Sequence, residues 1–220
     1  MKFSTFSVSF RACEFRSIWL LTFFVAFTLI SLEGCSRGPA AVHVPEVDPV
    51  ESSKQAFELY DTDNDGQLSD TELAACPGIQ MHLQLYDKDS DGSVSQQELE
   101  EQLNSLVSGQ IGVTSLRIQV RLDGRPLPGA QIKLVPEMYL GDDVNVAYGT
   151  TNGRGTATMD IRDEDSPASD HGLLGVHYGT YKVEVTHPEA SIPEKYNTQT
   201  TLGYETEKGN PSFVLNLKSR

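Results

Sequence analysis

The sequence predicts an α+β multidomain chain: a pair of short helical units over residues 49–108, followed by an antiparallel β-sandwich over residues 112–220. Three observations carry that expectation. A 17-residue unit recurs without a gap at an offset of 26 residues, over 57–73 and again over 83–99. The acidic side chains are concentrated there: formal charge is +2 over residues 1–45, −13 over 46–110 and −3 over 111–220, against −14 for the whole chain. From Gly112 onward the pattern changes to short alternating runs of Val, Ile, Thr and Tyr, broken by Asp-Gly, Pro-Gly and Asn-Gly pairs.

At the N-terminus, Lys2, Arg11 and Arg16 precede an apolar run over residues 18–32. Its 15 residues fall short of the roughly 20 that span a bilayer. Basic start, short apolar stretch and small residues afterwards read as a secretory signal over residues 1–34. Leu32-Glu33-Gly34-Cys35 resembles a bacterial lipobox. That resemblance implies a lipidated Cys35 as the first mature residue, although Glu33 stands where the family usually has a small or apolar residue. The expected location is the cell envelope, lipid-anchored to a bacterial membrane on its periplasmic or surface side, or secretion if Cys35 is not lipidated. Residues 35–48, with small residues, prolines and no amphipathic period, read as a tether. Of three cysteines, Cys13 falls in the signal and Cys35 at the lipobox, so no disulfide framework is possible. Cys76 is expected as a small buried apolar residue.

The repeat itself has chemistry at fixed spacing. In the first copy Asp61, Asp63 and Asp65 offer carboxylates at alternate positions, Gly66 permits a sharp turn, Gln67 presents a backbone carbonyl, Ser69 can act through a water, and Glu72 closes the set with two oxygens. The second copy repeats this with Asp87, Asp89, Asp91, Gly92, Ser93, Ser95 and Glu98. A 12-residue loop with these donors can wrap a hard cation that takes six to eight oxygens. Both copies resemble the EF-hand calcium-binding family at every diagnostic position, which implies two calcium ions. An Asp-rich turn without metal is the competing explanation, and two full copies, each with its glycine and terminal glutamate, argue against it. The bidentate glutamate favours calcium over magnesium, which prefers six-fold geometry and retains its waters.

The EF-hand resemblance further implies that Leu68 and Val94 face each other in a short antiparallel bridge. Phe57 with Tyr60, and Leu83 with Tyr86, are spaced i, i+3 on the incoming helices, and Leu73, Leu99, Leu103 and Leu106 lie on the outgoing ones. Each loop holds four ligand carboxylates, so the metal-free pair is expected to be loosened by repulsion, and metal binding to be linked to folding. Pro77-Gly78 lies between the loops and breaks a helix, so the connecting helices must be one or two turns. Short helices and a single methionine here, Met81, point to structural calcium rather than a calmodulin-type switch.

A boundary is expected near residues 108–110. Beyond it, candidate strands are 113–122, 129–136, 144–149, 155–161, 179–186, 198–205 and 211–217. Residues 120–136, with their Asp-Gly and Pro-Gly turns, the Asn-Gly turn over 151–155, and the Gly179-Thr180-Tyr181 start of a late strand resemble carboxypeptidase regulatory-like, or transthyretin-like, domains. Residues 192–197 resemble a segment that recurs in bacterial lipoproteins of this kind. The resemblance implies a non-catalytic accessory module and says little of function. The loop over 160–178 is longer than such a fold needs. His171, His177 and His187, with Asp170, show no catalytic or metal spacing, so no enzyme is expected. The acidic block excludes nucleic acid as a partner. The leading expectation is a non-enzymatic calcium-binding envelope lipoprotein whose sandwich meets an envelope protein or glycan. The alternatives are a dockerin-like interaction module and a glycan-binding or hydrolase accessory protein.

Overall fold

A computed structural model describes residues 44–108, 112–161, 175–206 and 211–220. The signal over 1–34, Cys35, most of the tether, Asp170, His171 and most of the 160–178 loop lie outside these residues. Among the described residues, no helix is long and apolar enough to cross a membrane.

Helix α1 (Pro49–Tyr60) starts where the Asp48 carboxylate accepts the backbone N–H groups of Val50 and Glu51, with Pro49 at the first helical position. It ends where the first loop begins, with the Asp61 N–H on the Phe57 carbonyl. After β1 (Gln67–Leu68) come three single turns, α2 (Asp70–Leu73), α3 (Pro77–Gln80) and α4 (Leu83–Tyr86). Strand β2 (Val94–Ser95) leads into α5 (Gln96–Val107), which buries Leu99, Leu103 and Leu106 along one face and packs on α1. The connecting helices are as short as the sequence demands. Pro77-Gly78 does not simply interrupt a helix, however. Proline, needing no hydrogen-bonded N–H at the first turn, begins α3.

The β-rich part comprises β3 (Val113–Thr114), β4 (Arg117–Leu122), β5 (Arg125–Pro126), β6 (Gln131–Pro136), β7 (Ala147–Thr150), β8 (Thr156–Thr158), β9 (Asp160–Ile161), β10 (Val176–His177), β11 (Thr180–Thr186), β12 (Gly203–Glu205) and β13 (Ser212–Leu217). One antiparallel sheet runs β12-β11-β6-β7-β9, and a second holds β13-β4-β5 with β8 also on β4. The α+β organisation thus agrees with the sequence. Several details differ. The run over 155–161 divides into β8 on β4 and β9 on β7, and Val176–His177 of the expected 160–178 loop form β10. The run over 113–122 is two strands, because β3 pairs with β10 while β4 enters the second sheet. The run over 198–205 is extended only from Gly203, since residues 197–200 form a turn closed by the Thr200 N–H on the Asn197 carbonyl. And β13 lies parallel to β4, Ser212 opposite Arg117 through Leu217 opposite Leu122, among otherwise antiparallel pairings.

Alternation decides the core. Ile118 and Val120 of β4, Ile132 and Leu134 of β6, and Tyr181, Val183 and Val185 of β11 are buried. They join one apolar cluster with Ala56, Leu73, Cys76, Ile79, Tyr86, Leu99 and Leu103 from the helical part. Residues 41–220 are accordingly one compact unit. The join is close because two glycines face it. A Cβ on Gly78 would stand 3.0 Å from the Thr180 Cβ, and one on Gly203 would overlap the Pro77 carbonyl group.

Gly203→Ala should therefore destabilise the protein by about 3 kcal/mol in denaturant unfolding, because backbone must move to admit the methyl group. Gly153→Ala, where nothing lies within 4 Å, should stay within about 0.5 kcal/mol of the parent. Equal stability of the two variants would contradict the close approach at α3.

Candidate metal centre

Each loop folds its carboxylates inward on its own backbone. In the first, Asp61 Oδ1 accepts the Asp65 N–H at 3.2 Å and Oδ2 the Gly66 N–H at 3.1 Å, while Asp65 Oδ1 accepts the Gln67 N–H at 2.8 Å. In the second, Asp87 accepts from Asp91 and Gly92 at 3.1 and 3.0 Å, and Asp91 from Ser93 at 2.8 Å. Asp63 and Asp89 Oδ1 also accept the N–H of Asp65 and Asp91. Gly66 and Gly92 take φ of 84° and 91°, where a Cβ is strained. Asn64 and Ser90 are left-handed as well, at 59° and 63°. The repeat in sequence is a repeat in backbone geometry.

Oxygens of Asp61, Asp63 and Asp65 lie within 4.8 Å of one another, as do those of Asp87, Asp89 and Asp91. Oxygens sharing a calcium ion at about 2.3–2.6 Å can be no farther apart than about 5 Å, so each trio fits one coordination shell. Glu72 and Glu98 are not in these trios. Glu72 spans its loop, with Oε1 accepting from the Thr62 N–H and hydroxyl at 2.7 and 3.0 Å, and Oε2 from the Ser69 N–H and hydroxyl at 2.9 and 2.8 Å. Glu98 does the same with the N–H groups of Lys88 and Asp89 and with Ser95. The Ser69 amide and hydroxyl, with Thr62, hold the Glu72 carboxyl at about 2. Burial pushes Glu98 up, but the bonds from Ser95, Lys88 and Asp89 outweigh it and leave the group below its ordinary value.

The loops are joined back to back. Leu68 pairs with Val94 and Gln67 with Ser95, and Leu68 and Val94 are fully buried. The Ser93 hydroxyl donates to Asp91 Oδ1 at 2.6 Å and lies 3.4 Å from Gln67 Oε1. The bridge is the one that the sequence implied.

Two contacts were not legible in the sequence. Tyr60 and Tyr86, the residues before the first aspartate of each loop, donate their hydroxyls to Glu137 and Glu205 of the β-rich part. Their identity at the same repeat position was the available signal, but alternation cannot say which carboxylates they meet. Glu137 is fully buried; it also accepts the Gly78 N–H at 3.3 Å and lies 3.5 Å from Lys182 Nζ. Burial raises its carboxyl above the ordinary value, and Lys182, Gly78 and Tyr60 oppose that. Burial, and then the Glu205 charge, raises the Tyr86 phenol well up, so it stays a donor. Cys76 is free and fully buried, its thiol pushed up by burial and by Glu137. His177 Nδ1 accepts the Asn145 N–H, and His187 bonds the Pro128 carbonyl and the N–H groups of Glu189 and Ala190, so both rings serve loop structure.

The fold and these loops define a class: paired EF-hand loops built onto a β-rich body. The EF hand family model matches residues 54–77 and 82–103, which covers both loops, the later part of α1 and all of α4, and supports calcium binding. No curated protein matches the chain. Among solved structures, catechol 1,2-dioxygenase from Acinetobacter sp. ADP1 inhibited by bound mercury aligns over 94% of this chain and 87% of its own. Its identity is 11% and its TM-score 0.25, too low to bear on fold or function.

Because the Glu72 carboxyl is depressed in the folded protein, it contributes stability that is present above about pH 4.5 and lost as pH falls towards about 2. Melts of calcium-free protein across that window should show a falling melting temperature, and Glu72→Gln should flatten the fall. An unchanged slope would mean that the loop does not hold the carboxylate as described.

Proposed function

We propose that this protein is a non-enzymatic, calcium-binding lipoprotein of a bacterial envelope, in which two calcium ions hold an acidic helical pair in shape. The observation that carries the calcium reading is the matched pair of aspartate trios, each compact enough for one shell. In this reading Asp61, Asp63, Asp65, the Gln67 carbonyl, Glu72 and, through water, Ser69 hold the first ion. Asp87, Asp89, Asp91, the Ser93 carbonyl, Glu98 and, through water, Ser95 hold the second. Calcium supplies positive charge to offset the eight ligand carboxylates of the two loops.

A structural rather than regulatory role is supported by the helices around the loops. A sensor opens its helix pair to expose an apolar groove. Here α2, α3 and α4 are four residues each, and Leu73, Ile79 and Leu99 are fully buried in a core continuous with the sheets. Sites of this kind outside the cytoplasm suit affinities of about 10⁻⁴–10⁻³ M. Lys2, Arg11 and Arg16 before an apolar run, and Cys35 after it, support export and lipidation, with the β-rich part free to meet an envelope protein or glycan. Mass spectrometry of the mature N-terminus tests that part: a diacylglyceryl adduct on Cys35 is expected, and a free, unmodified Cys35 overturns it.

Calorimetric titration should find two calcium equivalents, and saturation at about 100 times Kd should add about 2.7 kcal/mol of stability. Glu72→Gln and Glu98→Gln should each weaken one site about tenfold or more, roughly 1.4 kcal/mol. Unchanged binding in both variants would overturn the calcium assignment.

A further inference from the structure

The tyrosines before the two loops occupy one position of the repeat, and the carboxylates that they meet are arranged as a pair too. Glu137 follows the last residue of β6, and Glu205 is the last residue of β12. These two strands flank β11 in the sheet. The end of one sheet therefore offers two buried carboxylates, one to each loop. Tyr60 donates to Glu137 at 3.2 Å, and Tyr86 donates to Glu205. The second loop has another route to the same carboxylate. Lys88, next after the first aspartate, donates from Nζ to Gln102 Oε1 at 3.1 Å, and Gln102 Nε2 donates to Glu205 Oε1 at 2.9 Å. Between the two joints, Gly78 of α3 donates its N–H to Glu137 and Gly203 of β12 lies against the Pro77 carbonyl.

We propose that the β12-β11-β6 sheet is the built-in partner of the EF-hand pair, and that Tyr60 and Tyr86 act as positioning residues that couple calcium binding in each loop to docking on Glu137 and Glu205. The inference rests on the calcium reading above and adds to it a route from the loops into the sheet. The geometry gives the direction of the coupling. The main chain that presents Asp61 begins at Tyr60, and that of Asp87 at Tyr86. With each phenol bonded at its far end to a buried carboxylate, the first ligand of each loop leaves the helix beside an anchored side chain. The docked arrangement is the one in which both aspartate trios are assembled. Calcium, which needs the trio, must then favour the docked sheet, and the docked sheet must favour calcium by the same factor.

The test is calorimetric calcium titration of the full chain, together with melts in calcium and in chelator, for the parent, Tyr60→Phe/Tyr86→Phe and Glu205→Gln. Phenylalanine keeps the ring and its packing and removes only the donated hydrogen bond. Coupling predicts that the double variant binds calcium about fivefold or more weakly. It also predicts a melting temperature that drops more in calcium than in chelator. A purely structural hydroxyl would lower both melts equally and leave the affinity unchanged, which would overturn the proposal. Hydrogen exchange of the parent protein gives a reading that needs no variant to fold. Calcium should slow exchange at the amides of Tyr204, Glu205 and Thr206 as well as in the loops. Protection confined to residues 61–72 and 87–98 would also overturn the coupling. A parent chain that binds no calcium at all would overturn the calcium reading and this proposal together, whereas binding without coupling would remove only the latter.

Discussion

Two buried carboxylates organise this molecule. Glu137 is fully buried and Glu205 nearly so. A carboxylate in such a place costs several kcal/mol unless hydrogen bonds and counter-charge replace the lost water. The replacements come from both halves of the chain. Lys182 of β11 approaches Glu137 from the sheet, while Tyr60 and Gly78 approach from the helical side. For Glu205 the bonds described all come from the helical side, from Tyr86 and Gln102. Parting the helical pair from the sheet would leave the Glu205 carboxylate without these donors. These bonds tie the helical pair to the sheet within one compact unit.

The loops face the opposite electrostatic problem. Asp63, Asp65, Asp89 and Asp91 are exposed, Asp61, Glu72 and Asp87 are half-buried and Glu98 is buried. All are crowded, and the backbone N–H groups of residues 62, 65–67 and 69, with their counterparts in the second loop, are turned inward to meet them. Those donors orient the oxygens but carry no full charge. A divalent ion completes what the backbone begins, and the left-handed Gly66 and Gly92 make that inward turn possible. The Leu68–Val94 bridge then locks the two loops to each other, so that distortion of one is felt by the other.

Legibility differed sharply between the two parts. The loops could be read position by position because the ligand and turn residues of each loop lie within 12 residues of one another, and local backbone geometry follows from local sequence. Asp61, Gly66, Leu68 and Ser69 all stand where the repeat put them. Glu72 is the instructive case. Its position was legible, while its present hydrogen bonds to Thr62 and Ser69 depend on the closed shape of the loop. In the sheets, alternation identified the buried faces of β4, β6 and β11, yet it could not say that β13 runs parallel to β4. Partner and direction are set by contacts about a hundred residues apart in the chain.

The sequence by itself determined the two calcium loops, their pairing, the short helices around Pro77-Gly78 and the α+β order of the chain. Each follows from spacing, charge and backbone preference over a few residues. Only the tertiary structure decided that Tyr60 and Tyr86 reach Glu137 and Glu205, and that Gly203 clears a path for the Pro77 carbonyl. The Tyr–Glu pairs are 77 and 119 residues apart in the chain. No local rule connects residues at such separations; burial of a shared core brings them together, and the cost of an unpaired buried carboxylate then dictates who meets whom.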